Sequence, residues 1–325
     1  MAPLPDSRVT PSRAFGHTGV DYAGPFSVLA SKGRGIRTTK GNIAVFVCMT
    51  TKALHLELVG DLSTAAFLGA LARFTGRRGR PSELWSDNAT CFRRADLKLL
   101  EALQIAEIDW DLVAGSLASQ SIAWHFIPPG APHFGGLWEA AIKSVKGHLR
   151  RAIGSRHLTY EEFSTVLVGI EMVLNGRLLT PLSGDPSDLE VLTPGHFLVG
   201  APLDSIIQPG PPTENLDALS HWDLVRAIRA QFWSRWSRKY LNTLQQRPKW
   251  TVARRILAVG DFVILLDATL LQSSGCWPLG RIIRAQPGPD GLVRAVTVSN
   301  WRVRATDCQT GLAPRSKPQS TNATP

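Results

Sequence analysis

Apolar residues recur along this chain in two rhythms, first at every second position and then at every third or fourth. Val20 to Phe26 reads as a strand. Asn42 to Thr50 is an almost unbroken apolar run rich in Val and Ile, which suits a buried strand. A basic loop, Ser31-Lys32-Gly33-Arg34-Gly35, joins them. Ala53 to Leu58 alternates apolar with polar residues and reads as a half-exposed strand. Three strands in succession predict an antiparallel meander. The rhythm then lengthens: Phe67, Leu68, Leu71 and Phe74 share a helix face, with Ser63 as N-cap and an end near Gly76. Glu83 to Ser86 is a short strand, Arg94 to Ala106 a helix, and Ala123 to Ile127 a strand stopped by Pro128-Pro129-Gly130. Gly136 to Ile153 and Thr159 to Asn175 are long helices, and Thr159 with Glu162 makes a capping-box pattern. The order β-β-β-α-β-α-β-α predicts an α/β fold, a mixed sheet flanked by helices with the first strand at its centre.

The pattern changes after residue 180. Leu182 to Asn215 is rich in Pro, Gly, Ser and Asp and reads as an extended connector. His221 to Leu244 is helical, with Trp222, Phe232, Trp233, Trp236 and Tyr240 among Arg226, Arg229, Arg235, Arg238 and Lys239. Such a helix either stacks on nucleic acid or buries its tryptophans as an amphipathic connecting helix. Val259 to Asp267 and Leu279 to Val298 read as short strands of a small β-barrel of the SH3 type. The expected organisation is a flexible segment at 1–11, a core at 12–180, a connector at 181–250, a small β domain at 251–305 and a disordered tail at 306–325.

Composition narrows the function. Of 325 residues, 44% are hydrophobic and 19% charged, which excludes a disordered chain. The net charge of +10 points to a polyanionic partner, nucleic acid before membrane. The cysteines, Cys48, Cys91, Cys276 and Cys308, have no C-x-x-C spacing, so a structural zinc site is not expected and a reducing compartment is. Neither a signal peptide nor an apolar run of transmembrane length is visible.

Three acids carry the candidate chemistry. Asp21 lies within a strand, Asp87 at the end of one, and Glu139 opens a helix behind Gly135-Gly136. Two strand-borne aspartates and a helix-borne glutamate can form an all-oxygen site for Mg²⁺, suited to in-line attack on a phosphodiester. Lys143 and Lys146 follow Glu139 on one helix face, and Arg150 extends the basic end. Asn88 stands where it can orient Asp87 or touch substrate, and His133 lies in the loop before the helix.

Three blocks then carry a family resemblance: His17 to Phe26, Trp85 to Phe92, and, most specific, Ile127 to Ala140. From about Ser12 to about Val298 the chain resembles the integrase portion of a BEL/Pao-type LTR retrotransposon polyprotein. The resemblance implies an RNase H-like core of the retroviral integrase superfamily. It implies Asp21, Asp87 and Glu139 as catalytic acids holding two Mg²⁺ or Mn²⁺ ions, with Lys143, Lys146, Arg150, His133 and Asn88 at the nucleic acid. It further implies DNA as partner (element ends and target), a homo-oligomer and action in the nucleus. The chain departs from the family in three places. Between Asp87 and Glu139 lie 51 residues, a long interval for the family, which calls for an insertion looped out at Ile108 to Ser119. The His/Cys zinc domain that precedes such cores is not among these residues, and Trp301 to Asp307 fits the family's final basic strand poorly. Two other functions stay open at this point: a co-opted copy that binds DNA or assembles without catalysis, and an RNase H-like nuclease that cleaves without joining.

Overall fold

His17–Leu29 (β1) is the strand around which the sheet is built, because both of its edges are paired. The structure, a computed structural model, describes residues 10–31, 37–108, 122–127, 136–183, 188–203, 221–244, 257–265, 277–289, 293–300 and 319–321. Side chains at 102–108, 136–141, 294, 300 and 319–321 lie outside that description. So do the expected flexible start up to residue 9 and all of the expected insertion except Ile108.

β1 pairs antiparallel with Thr38–Cys48 (β2), and β2 pairs antiparallel with Leu54–Val59 (β3). On its other edge β1 pairs in parallel with Glu83–Ser86 (β4), and β4 with Ala123–Phe126 (β5). The order is β3-β2-β1-β4-β5, and Leu158–Thr159 (β6) adds to the far end of β1. Thr64–Arg78 (α1) and Thr90–Ile108 (α2) cover one face. Gly136–Ile153 (α3) and Tyr160–Asn175 (α4) cover the other. After a single helical turn, His196–Val199 (α5), the long helix His221–Leu244 (α6) joins them there. This is the mixed sheet flanked by helices that the element order predicted.

The period of two explains how one sheet serves two cores. Val20, Ala44, Phe46 and Leu84 meet Phe67, Phe74 and Phe92 on the α1–α2 side. Ala23, Ile43, Val45 and Val47 meet Ile142, Leu149, Phe163 and Ile170 on the other. β2 is buried on both faces, hence its unbroken apolar run.

β3 departs from expectation, since every residue in it is buried rather than alternate ones. Its polar residues are covered by charges from elsewhere. His55 Nε2 lies 3.0 Å from Glu57 Oε1, and its Nδ1 lies 3.3 Å from Glu171 on α4. Arg73 and Arg77 donate to Glu57 at 2.6 and 2.9 Å, and Arg78 pairs with Glu171. That network also explains why α1 runs through Gly76 to Arg78, since its last turn supplies two of these arginines. The helix stops at Gly79, whose φ of 79° suits glycine.

The Arg/Trp-rich helix α6 turns its aromatics inwards. Phe232, Trp233 and Trp236 are buried in the α3–α4 core, whereas Trp222, Arg235, Arg238 and Lys239 are exposed. Trp236 and Tyr240 stack at 5.1 Å, and Trp277 packs edge-on to Trp233 at 4.8 Å. The Trp277 indole N–H donates to Gly176 O (3.1 Å) and the Tyr240 hydroxyl to Leu178 O (2.5 Å). Where the expected core passes into the expected connector, Thr180–Pro181 (β7) and Val191–Leu192 (β8) form a two-stranded ribbon.

The C-terminal strands are Phe262–Ile264 (β9), Leu279–Pro287 (β10), Val293–Asn300 (β11) and Gln319–Thr321 (β12). Among the described residues they form an antiparallel sheet in the order β12-β11-β10-β9, with Ile282, Val296 and Val298 at its core. β12 falls in the stretch expected to be a disordered tail. It is a strand because β11 offers it an unpaired edge along Val296 to Val298.

Candidate active site

Asp21 and Asp87 are brought together by register. In the parallel pairing of β1 with β4, Val20 stands opposite Ser86, so Asp21 is the next residue along β1 and Asp87 the first residue past the end of β4. Adjacent strands lie about 4.8 Å apart, and residues level with each other in a parallel pair point to the same face. Alternation assigns that face: Gly19 is level with Trp85, and Trp85 packs on the α3–α4 core. Asp21 therefore belongs to the face that α3 covers, and Asp87 sits at the adjoining strand end.

Each is held locally. Asp21 is half-buried, and its Oδ1 accepts from the Tyr22 N–H at 2.6 Å. Asp87 is exposed, and its Oδ1 accepts from the Ala89 N–H at 3.0 Å, an Asx-turn. The buried Ser86 hydroxyl accepts from the Trp124 indole at 2.9 Å and lies 2.9 Å from Asp87 O. Asn88 donates to Ile127 O at 2.5 Å and accepts from Arg93 at 2.6 Å. The turn that carries Asp87 is thus tied to the end of β5. Burial, together with the charges of Asp87 and Asp21, pushes the buried Cys91 thiol above its usual value, so both carboxylates lie within electrostatic reach of one atom.

Helix α3 is docked over the same strands through Ile142, Val145 and Leu149. Arg150 fixes its position along β1: the guanidinium donates to Gly24 O at 3.2 Å and lies 6.0 Å from the Phe26 ring centre. Beyond the helix, Leu158 pairs with Val28. The chain thus advances along β1 in the direction β1 itself runs. Going back from Arg150 to residue 139 covers about 16 Å of helix, equivalent to about five strand residues. That brings the backbone of residue 139 to about the level of Gly19, two residues from Asp21. The Glu139 side chain lies outside the described residues, as do His133 and all of 128–135. Among the described residues no group of three His, Cys, Asp or Glu could hold a metal ion.

Asp21 and Asp87 supply only oxygen, the donor set a hard divalent cation takes, and two close carboxylates repel until a cation lies between them. Lys143 is exposed and Lys146 half-buried, on the stripe that ends at Arg150. Sequence reading did not single out Ser86 and Trp124, whose bond braces the Asp87 turn. No signal in the sequence points to it, because the bond runs diagonally: Trp124 stands opposite Leu84 and Ser86 opposite Phe126.

Comparison with known proteins adds the following. Residues 220–310 match a family described as "Family of unknown function (DUF5641)", which starts at α6. No curated protein matches the chain. A chain from the cryo-EM structure of the simian T-cell lymphotropic virus intasome in complex with PP2A regulatory subunit B56 gamma is similar over 99% of this chain and 81% of that one. Their sequence identity is 14% and the TM-score 0.39. At that score the likeness assigns no roles to residues here.

Proposed function

We propose that this chain is the catalytic core and C-terminal region of a BEL/Pao-type retrotransposon integrase, a polynucleotidyl transferase acting on DNA. The observation that carries the reading is that Asp21 on β1 and Asp87 just past the end of the neighbouring parallel strand β4 lie within electrostatic reach of one atom, beside the sheet face on which the helix bearing Glu139 packs. The net charge of +10 suits a DNA partner. Asp21, Asp87 and Glu139 would hold two Mg²⁺ or Mn²⁺ ions, which when bound polarise the scissile phosphate and its attacking oxygen.

The chain's own residues do the positioning. The Asx-turn and the Asn88 tether fix Asp87, and pairing on both edges of β1 fixes Asp21. Lys143 and Lys146 present cations to the DNA backbone beside the acids. In end trimming, water attacks phosphorus and the 3′ oxygen of the element leaves. In joining, that freed 3′-OH attacks phosphorus of a target phosphodiester and the target strand's own 3′ oxygen leaves. Joining needs two DNA ends held at once, so the active form is a homo-oligomer acting on nuclear DNA.

The test gives the protein labelled duplex ends and Mn²⁺. Trimmed ends and joined products are expected, and Asp21→Asn, Asp87→Asn and Glu139→Gln each lower both about 100-fold or more, equivalent to about 2.7 kcal/mol of barrier. Cleavage without joining would make the protein a nuclease. Binding without either product would make it a DNA-binding copy.

A further inference from the structure

At the end of α3 farthest from the acids, a cavity of ≈ 320 Å³ opens between the α3–β6 turn and the middle of β1. Arg150, Arg156 and His157 line it, with the hydroxyls of Ser27 and Ser155, and no carboxylate does. Two of the carbonyls at this helix C-terminus already accept hydrogen bonds. Gly154 N–H donates to Arg150 O at 2.9 Å, and Arg156 donates to Ile153 O through both its backbone N–H (3.3 Å) and its Nη1 (3.2 Å). The Nε of Arg156 is buried and has no hydrogen-bond partner. A buried donor without an acceptor is costly, so Arg156 carries unused donor capacity beside the cavity.

We infer that this cavity is a subsite for a backbone phosphate of the bound DNA duplex, with Arg156 as its principal donor and Arg150, His157 and Ser155 around it. The inference rests on the DNA part of the function proposed above. Its position fits: Phe26 is five residues along β1 from Asp21, about 16 Å, which is about five base-pair steps of duplex. Lys143, Lys146 and Arg150 bridge the interval along one stripe of α3. The duplex then runs along α3 and is clamped at both ends, by the acids and by the cavity.

The test is salt-dependent binding of a short labelled duplex to the intact chain, followed by fluorescence anisotropy in a chelator so that no chemistry intervenes. Arg156→Ala is expected to weaken binding several-fold and to reduce the slope of log K against log salt by about 0.9, one phosphate contact. Ser155→Glu, which leaves the Arg156 bonds to Ile153 intact, is expected to weaken binding at an unchanged melting temperature. Wild-type affinity and slope in both variants would overturn the subsite. So would inorganic phosphate raising the melting temperature of the wild type but not of Arg156→Ala while the DNA slope stays the same, since the cavity would then hold a free anion. Weakened binding in both variants, beside a wild type that neither trims nor joins, would uphold the subsite and sink the integrase reading.

Discussion

His55 sits between two carboxylates in a part of the sheet that water does not reach. Burial alone would push its pKa down, but hydrogen bonds to Glu171 and Glu57 outweigh that and hold it above the usual 6.5, against the opposing charge of Arg78. Burial would likewise raise Glu57, yet His55 and Arg73 hold it below its ordinary value. The His55 share of stability is then complete below about pH 6.5 and is lost as pH rises through the raised value. The Glu57 share is complete above its ordinary carboxylate range and is lost as pH falls through the depressed value. Melting temperature measured across pH should therefore fall as pH rises above about 6.5, and His55→Gln should flatten that fall. Asn88 makes a second prediction. Asn88→Ala removes the tether to Ile127 and should cost about 1 kcal/mol in denaturant unfolding. It should also lower the trimming rate more than DNA affinity, because it loosens the Asp87 turn and leaves the basic stripe alone. Asp21 stood out as a candidate because a carboxylate inside an apolar strand is costly without a partner. The burial of His55 was not, since its cover comes from arginines 18 and more residues away in sequence.

Helix α4 does more than pack. Asn175 accepts from Leu54 N–H and donates to Leu54 O, both at 2.8 Å, and Glu171 accepts from Leu56 N–H at 2.9 Å. One helical turn apart, these two side chains satisfy the outward backbone groups of the edge strand β3. Asn175→Ala should cost about 3 kcal/mol, because two buried backbone groups lose their partner. Val168→Ala, at a position 60% exposed on the same helix, should change stability by no more than about 0.5 kcal/mol in the same unfolding experiment. The α4 boundaries were legible: Thr159 caps the helix and Glu162 returns the bond to Thr159 N–H, the reciprocal pattern read from T-x-x-E. The edge clamp was not, because a polar residue on a helix does not announce which backbone it faces.

The molecule as a whole is larger than its sheet. The element order was readable up to Asn175, since each strand and helix there carries its own period and stop signals. The place of α6 was not, because its arginines match a solvated or DNA-facing helix as well as they match a buried one. Its inward residues close the core: Trp233 is 1% exposed among α3, α4 and α6 residues, and Trp233→Ala should cost about 4 kcal/mol. A chain ending at residue 203 would leave that apolar face open and should lose its near-UV circular dichroism while binding a hydrophobic dye. The same seam has a converse. Because α6 meets α3 and α4 as tightly as parts of one interior meet, the covalent link through 204–220 is not what holds the two halves together. A chain split there and produced as two separate pieces should reassemble without the peptide bond, and neither half should be soluble unless the other is present.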